Sequence, residues 1–252
     1  MKILLAEDSR TNQKLATFIL ENEGHSVEVA DNGLVAVERF VNSSFDLILM
    51  DVHMPEMDGF EATTRIREHE QSTDSRTLIL AMTDESPGGR DRCLESGMDG
   101  YLSKPLDMKE LKEALAQAES SGIHDGDQSG VTRSGASPIE SMVDWAGALK
   151  AVSGHQSILD TVVEAALEEG PELLEQLRRA IESSDVEVIH RTAHTIKGAF
   201  RTFNPVPMIE VAEQIETLAQ SESLDQITPL FTKLEPLLDQ TLQELRTPTA
   251  AD

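Results

Sequence analysis

The chain has 252 residues and a formal net charge of −25 at pH 7, which argues against nucleic acid or an anionic membrane surface as a partner. No apolar run approaches the roughly 20 residues that a membrane helix needs. Met1 and Lys2 lead directly into a predicted strand, so we expect no signal peptide. The single cysteine, Cys93, excludes an internal disulfide and favours a reducing, cytoplasmic environment. The length allows one large domain or two small ones.

Residues 1–118 alternate between strand and helix patterns. The predicted strands are 2–6, 26–30, 46–50, 77–82 and 99–102. The predicted helices are 11–23, 33–42, 58–70, 87–96 and 107–117. Five such units predict an α/β domain with a doubly wound parallel sheet and right-handed crossovers.

Acidic residues follow two of these strands. The apolar run Leu47–Met50 ends in Asp51, and the first strand ends in Glu7 and Asp8. Two like charges about 4 Å apart repel by about 4 kcal/mol near a protein surface, so three clustered carboxylates require a cation. Oxygen ligands of this kind favour Mg²⁺.

The segment 1–118 resembles a response-regulator receiver domain of the kind found in hybrid sensor kinases. The resemblance rests on Glu7-Asp8, on MDVHMPEMDG around Asp51, on Thr83, and on Tyr101-Leu102-Ser103-Lys104-Pro105. It implies a flavodoxin-like strand order, 2-1-3-4-5. In one respect the chain departs from the family: Asp84 stands where a small residue usually follows the switch threonine.

The resemblance also implies a role for each of these residues. Asp51 would accept a phosphoryl group, Lys104 and Thr83 would contact its oxygens, and Tyr101 would swing inward as a conformational switch. Mg²⁺ would be held by the carboxylates of Glu7, Asp8 and Asp51 and by the backbone carbonyl of His53.

Residues 119–141 differ in composition from the rest of the chain. Ten of these 23 residues are Gly or Ser and no hydrophobic period survives, which predicts a flexible linker. We also expect a disordered tail at 247–252.

The segment 142–246 has helical patterns throughout, and its short loops predict an antiparallel bundle. We expect Gly170-Pro171 to separate two helices, 156–168 and 172–182, and Asp185 to cap a third, 186–203. A fourth helix is predicted from Pro207 to about Gln220. A last helix is predicted within 224–246, where Pro229 can begin a helix and Pro236 can kink one.

The third helix of this bundle carries a polar face beside its apolar stripe. His190, His194, Lys197 and Arg201 repeat at helical spacing, and Gly198 follows His194 by one turn. Gly inside a helix costs about 1 kcal/mol relative to Ala, which suggests that Gly198 leaves the His194 ring uncovered. Lys197 would supply a positive charge for an anion there.

The motif HTIKGAF makes residues 142–246 resemble a histidine phosphotransfer (HPt) domain. The resemblance implies that His194 is phosphorylated, that Lys197 and Gly198 support it, and that Glu216 holds the other ring nitrogen. The family usually has Gly where Asn204 stands, although Asn tolerates the same left-handed backbone.

Together these patterns predict a phosphorelay intermediate without a kinase domain, either a separate protein or the C-terminal part of a hybrid kinase. A sensor-kinase phosphohistidine would donate to Asp51, Asp51 to His194, and His194 to a downstream response regulator. One alternative is a non-catalytic docking module that acts on a partner by conformation. Another is a zinc hydrolase built on His190 and His194, although HRTAH lacks the Glu of the HExxH motif.

Overall fold

The computed structural model describes residues 1–71, 76–83, 89–104, 106, 108–120, 141–221 and 223–247. Asp84, Pro105 and nearly all of the predicted linker and tail lie outside these ranges. Within them, no helix combines the length and apolar character that a membrane crossing requires.

The N-terminal domain is a three-layer α/β structure around a five-stranded parallel sheet. Its strands are β1 (Lys2–Ala6), β2 (Ser26–Ala30), β3 (Leu47–Asp51), β4 (Leu78–Thr83) and β5 (Gly100–Ser103). Its helices are α1 (Arg10–Asn22), α2 (Gly33–Asn42), α3 (Gly59–Glu70), α4 (Gly89–Glu95) and α5 (Met108–Ser120). The strand order is β2-β1-β3-β4-β5, which confirms the predicted doubly wound sheet.

The sheet is apolar on both faces, as a parallel sheet with helices on each side must be. Ile48 and Met50 of β3 belong to one core cluster, and Leu47 and Leu49 belong to the other. In β3 all five residues, including the terminal Asp51, are buried. The uninterrupted apolar run in the sequence is therefore a central strand.

The C-terminal domain is a helical bundle, as predicted. It contains α6 (Trp145–Ala151), α7 (Gln156–Ser183), α8 (Val186–Phe200), α9 (Val206–Gln220) and α10 (Leu224–Arg246). The Asp185 side chain accepts a hydrogen bond from the backbone N–H of Val188 and caps α8 as expected. A 3₁₀ turn over Arg201–Phe203 ends α8 earlier than predicted, and Asn204 follows with a left-handed φ of 52°.

The predicted break at Gly170-Pro171 is wrong, because α7 runs through it without interruption. A Cβ at residue 170 would lie 2.9 Å from Cζ of Phe200 and 3.0 Å from Cδ2 of Leu242. A Cβ at this position would force the Phe200 and Leu242 side chains to shift, so Gly170 allows α8 and α10 to pack closely on α7 and does not mark a turn. Pro229 likewise lies inside α10 and does not begin it.

Helix α1 of the sheet domain packs against α7 and α8 of the bundle. Leu15 of α1 is 3% exposed and belongs to the core cluster of the bundle, and Phe18 and Ile19 pack against the same cluster. This contact places the carboxyl end of the sheet against the polar face of α8.

Candidate functional site

Three carboxylates meet at the carboxyl end of β1 and β3. The register pairs Ala6 with Met50, so Glu7 and Asp8 leave the sheet beside Asp51. One oxygen from each of the three side chains lies within 4.8 Å of the others. Glu7 and Asp51 are buried, and Gly59 closes the loop after β3 so tightly that a Cβ there would lie 2.2 Å from the Asp51 carbonyl oxygen.

Among the described residues, Lys104 supplies the positive charge within this cluster. Its Nζ lies 2.6 Å from Oδ2 of Asp51 and 2.8 Å from Oε2 of Glu7. Burial by itself would lower the pKa of Lys104, but the two carboxylates reverse this and raise it. The ammonium therefore stays charged where the sequence predicted contact with a phosphoryl oxygen.

One ammonium does not balance three carboxylates. Burial, together with repulsion from Asp51, raises the pKa of Glu7 and raises that of Asp8 well above its usual range. A carboxylate set with excess negative charge fits a hard divalent cation such as Mg²⁺, so the residues present fit the expected metal. His53, whose backbone N–H donates to Oδ1 of Asp51 at 3.1 Å, lies beside this set, and the metal-binding role of its carbonyl stays a prediction.

Thr83 and Tyr101 lie further along the same sheet edge. Thr83 ends β4, and its carbonyl oxygen accepts a hydrogen bond from the Lys104 N–H at 3.1 Å. Tyr101 of β5 is half-buried and packs against the core cluster on one face of the sheet. The predicted roles of both residues in binding and switching stay predictions.

His194 forms a second site on α8. Its Nδ1 lies 2.7 Å from Oε1 of Glu216 on α9, and Nζ of Lys197 lies 2.8 Å from Oε2 of the same carboxylate. Burial tends to raise the pKa of Glu216, but the hydrogen bond with His194 and the charge of Lys197 lower it to about 2. An ionised Glu216 therefore holds the ring through Nδ1, in the position that the family resemblance implied for it.

Two expectations about this helix need correction. His194 is 5% exposed and is thus covered, not open to solvent. Gly198 lies against α1, where a Cβ would be 3.3 Å from Nδ2 of Asn12. The lack of a side chain at this position therefore lets α1 of the sheet domain pack closely on α8. Lys197 is buried and pairs with Glu216, so its charge balances a carboxylate of the bundle.

The two sites face each other across the domain contact. Asp51, His53 and His194 each place a side-chain ligand atom within 4.8 Å of the others. The His53 and His194 ring centroids are 4.5 Å apart, and the Thr195 hydroxyl donates to Oδ2 of Asp8 at 3.1 Å. Burial, reinforced by His194, lowers the pKa of His53 to about 4, so both rings fit together without mutual charge repulsion.

Asp51, His53 and His194 also have donor types that zinc accepts. Oδ2 of Asp51 is paired with the Lys104 ammonium, so any cation on this carboxylate would use its other oxygen. The two histidines of the zinc alternative have different neighbours. His190 Nε2 lies 2.8 Å from Gln220 Nε2 and 3.9 Å from Oε1 of Glu216, whereas His194 contacts that oxygen directly through Nδ1.

Sequence reasoning missed two contributors to this contact. It named His53 for its carbonyl and not for its ring, and it did not name Glu169, whose carboxylate lies buried between α7 and the start of α1. The available signal was an acid within an apolar stripe, since Glu169 is flanked at helical spacing by Val162, Ala166 and Leu173.

Comparison with protein families assigns both halves. The model of the response regulator receiver domain matches residues 3–116, and the model of the Hpt domain matches residues 161–247. The chain contains a receiver domain followed by an Hpt domain. Two-component signalling is therefore the setting of this protein.

Curated relatives are histidine kinases much longer than this chain. The signal transduction histidine-protein kinase BarA of Escherichia coli is 28% identical over 97% of the chain, which spans 26% of BarA. Probable histidine kinase 1 of Oryza sativa subsp. indica is 38% identical over 46% of the chain and 15% of the kinase. The chain thus corresponds in length to about a quarter or less of these relatives.

Two solved structures each match just under half of the chain. The receiver domain of the sensor histidine kinase PA1611 from Pseudomonas aeruginosa, with magnesium in its active-site cleft, is 37% identical. The match covers 48% of this chain and 98% of that one, with a TM-score of 0.43. A complex of Saccharomyces cerevisiae Ypd1 with the Ssk1 receiver domain matches at 28% identity, 46% and 86% coverage, and a TM-score of 0.44.

Proposed function

We propose that the chain is a phosphorelay intermediate in which Asp51 passes a phosphoryl group to His194 of the same molecule. The observation that carries the proposal is the juxtaposition of the two nucleophiles, with an Asp51 oxygen and a His194 ring nitrogen within 4.8 Å. A phosphorus atom placed between them would have its donor and acceptor on opposite sides, which is the arrangement that phosphoryl transfer requires.

In the first step, a carboxylate oxygen of Asp51 attacks the phosphorus of a phosphohistidine on an upstream sensor kinase. The P–N bond breaks and an acyl phosphate forms on Asp51. Lys104 pairs with the charge on the transferred group, and Thr83 donates a hydrogen bond to it. The chemistry that Mg²⁺ supplies when bound by Glu7, Asp8, Asp51 and the His53 carbonyl is neutralisation of the phosphoryl charge.

In the second step, His194 attacks the acyl phosphate. Because Nδ1 is paired with Glu216, we assign Nε2 as the attacking nitrogen. The P–O bond breaks, the Asp51 carboxylate is regenerated, and Nδ1–H of the phosphorylated ring remains bonded to Glu216. Lys197 keeps that carboxylate in place. A receiver domain of a downstream regulator then takes the group from His194.

A test uses the full chain and a phosphorylated sensor kinase carrying a radioactive phosphoryl group. Wild-type protein should acquire label of two kinds, an alkali-labile acyl phosphate and an alkali-stable phosphohistidine. Asp51→Asn should abolish both, and His194→Gln should keep the acyl phosphate and lose transfer to a downstream regulator. His25→Gln, on the loop before β2 and outside both sites, is the control and should retain both labels.

The second candidate is the non-catalytic docking module, which the contacts between α1, α7 and α8 also favour. The same experiment separates the two functions. Absence of any alkali-stable label in the wild-type chain, with Asp51 labelled normally, would leave docking as the function. Onward delivery by the His194→Gln variant would show that the proposed order of transfer is wrong.

A further inference from the structure

Four hydrogen bonds between the domains converge on Glu169, outside the pair of phosphoryl-accepting residues. Oε1 of Glu169 accepts the N–H of Arg10 at 2.9 Å. Its Oε2 accepts the Ser9 hydroxyl at 3.1 Å, the Thr11 N–H at 3.0 Å and the Thr11 hydroxyl at 2.6 Å. We call Glu169 with Ser9, Arg10 and Thr11 the Glu169 anchor.

The anchor places a negative charge at the N-terminus of α1. The first N–H groups of a helix have no partner within the helix, and the positive end of its dipole favours a nearby negative charge. Helices α3 and α8 each carry a glutamate in the first turn, whereas α1 carries no acidic residue there. Glu169 of the Hpt domain supplies the missing charge from the other domain.

The hydroxyl groups make the contact selective. Ser9 uses its oxygen twice: it accepts the N–H of Asn12 as the N-cap of α1 and donates its proton to Glu169. Thr11 adds a side-chain donor to its backbone donor. Glu169 is 4% exposed, and a buried carboxylate without such donors is strongly unfavourable.

Apolar side chains of α1 beside the anchor also pack against the bundle. Leu15 enters the bundle core, and Phe18 lies with its ring 5.4 Å from that of His155. At the periphery, Arg10 pairs with Glu172 at 2.5 Å. The surface of α7 around Glu169 thus fits the first turns of a receiver α1 that combines hydroxyl donors with a following apolar face.

We propose that Glu169 determines which receiver domain docks on this Hpt domain, by requiring hydroxyl and N–H donors at the positions of Ser9, Arg10 and Thr11. The receiver of the same chain meets this requirement and, while docked, covers His194. A downstream receiver must therefore displace it, and we expect such a receiver to carry Ser or Thr at the two hydroxyl positions. The expectation about the downstream receiver rests on the proposed relay, whereas the role of Glu169 in docking the receiver of the same chain does not.

The test of docking needs no phosphate. Glu169→Gln keeps the size of the side chain but turns an NH₂ group toward N–H donors. In the full chain it should speed amide exchange at Arg10 and Thr11 at least tenfold, which corresponds to about 1.4 kcal/mol. It should also increase carbethoxylation of His194 by diethyl pyrocarbonate at least threefold, as read by mass spectrometry. Glu168→Gln, an exposed neighbour on α7, should change neither quantity.

A double-variant cycle with Thr11→Val tests the pairing itself. If Glu169 acts through the Thr11 hydroxyl, the Glu169→Gln and Thr11→Val effects on His194 reactivity should be less than multiplicative when combined. Unchanged exchange and unchanged His194 reactivity in Glu169→Gln, with a native circular dichroism spectrum, would overturn the proposal. So would fully multiplicative effects of the two substitutions.

Transfer kinetics separate this inference from the relay. With Asp51 labelled by a small acyl phosphate donor, Glu169→Gln should slow the appearance of phosphohistidine at least tenfold, whereas Glu168→Gln should not. If the wild-type chain forms no phosphohistidine but the exchange and carbethoxylation changes occur, the relay fails and the docking role of Glu169 stands. A normal transfer rate in Glu169→Gln would refute its role in docking for transfer.

Discussion

Replacing Glu216 by glutamine removes the charge that lies between His194 and Lys197. The surroundings lower the pKa of Glu216 from an ordinary value of 4.5 to about 2, and its side chain is 12% exposed, so solvent screens it little. At 1.36 kcal/mol per pKa unit, the ionised carboxylate contributes about 3 kcal/mol to the free energy of unfolding at neutral pH. Glu216→Gln should lose most of this.

The sign of the pH dependence follows from the lowered pKa. A carboxylate whose folded pKa lies below its unfolded pKa stabilises the fold fully above about pH 4.5. This contribution is lost as the pH falls toward about 2, because the folded state must then also take up the proton. The difference between wild type and Glu216→Gln should therefore be constant from pH 7 to 5 and decrease at pH 3.

Urea unfolding followed by tryptophan fluorescence measures this difference in the full chain. Trp145 is the single tryptophan and packs against the bundle core, so its emission reports on unfolding of that core. A loss of about 3 kcal/mol should move the urea midpoint by about 1–3 M. Glu213→Gln, an exposed glutamate one turn earlier on α9, is the control. Equal midpoints for the two variants at pH 7, or a difference that persists unchanged at pH 3, would refute the reasoning.

Two further predictions concern the metal and the core. Titration calorimetry on the full chain should detect one Mg²⁺ ion, because the Glu7, Asp8 and Asp51 set carries excess charge, and Asp8→Asn should weaken its binding at least tenfold. Asp31→Asn, an exposed acid after the adjacent strand, should bind as wild type does; equal binding by both variants would contradict the assignment. Gly170→Ala should destabilise the bundle, since overpacking against Phe200 and Leu242 costs about 1–3 kcal/mol and outweighs a gain of up to about 1 kcal/mol in helix propensity. Urea unfolding followed by Trp145 fluorescence would check this. A raised urea midpoint would contradict the prediction and show that the Phe200 and Leu242 side chains can move to accommodate the methyl group.

Local pattern was enough to predict both domain folds and most of their elements. Apolar runs ending in Glu7-Asp8 and Asp51 identified two buried strands whose carboxyl ends adjoin, because strand direction and parallel pairing are set by short-range rules. The spacing around His194 placed Lys197 and Gly198 on its face of α8 for the same reason, since helical periodicity is a local property. The position of Glu216 opposite His194 came from the family resemblance, and the structure places it there.

Tertiary packing decided what local pattern could not. Gly170-Pro171 reads as a turn on its own, but the close approach of Phe200 and Leu242 keeps α7 continuous. Lys197 and Gly198 suggest an open anion site, whereas Glu216 pairs with the lysine and α1 covers the glycine. The docking of the two domains through Glu169 brings together residues about 160 positions apart in the sequence. Such a contact depends on the complementarity of the surfaces of two folded domains. Hydrophobic periodicity and turn residues are local properties of the chain and do not determine it.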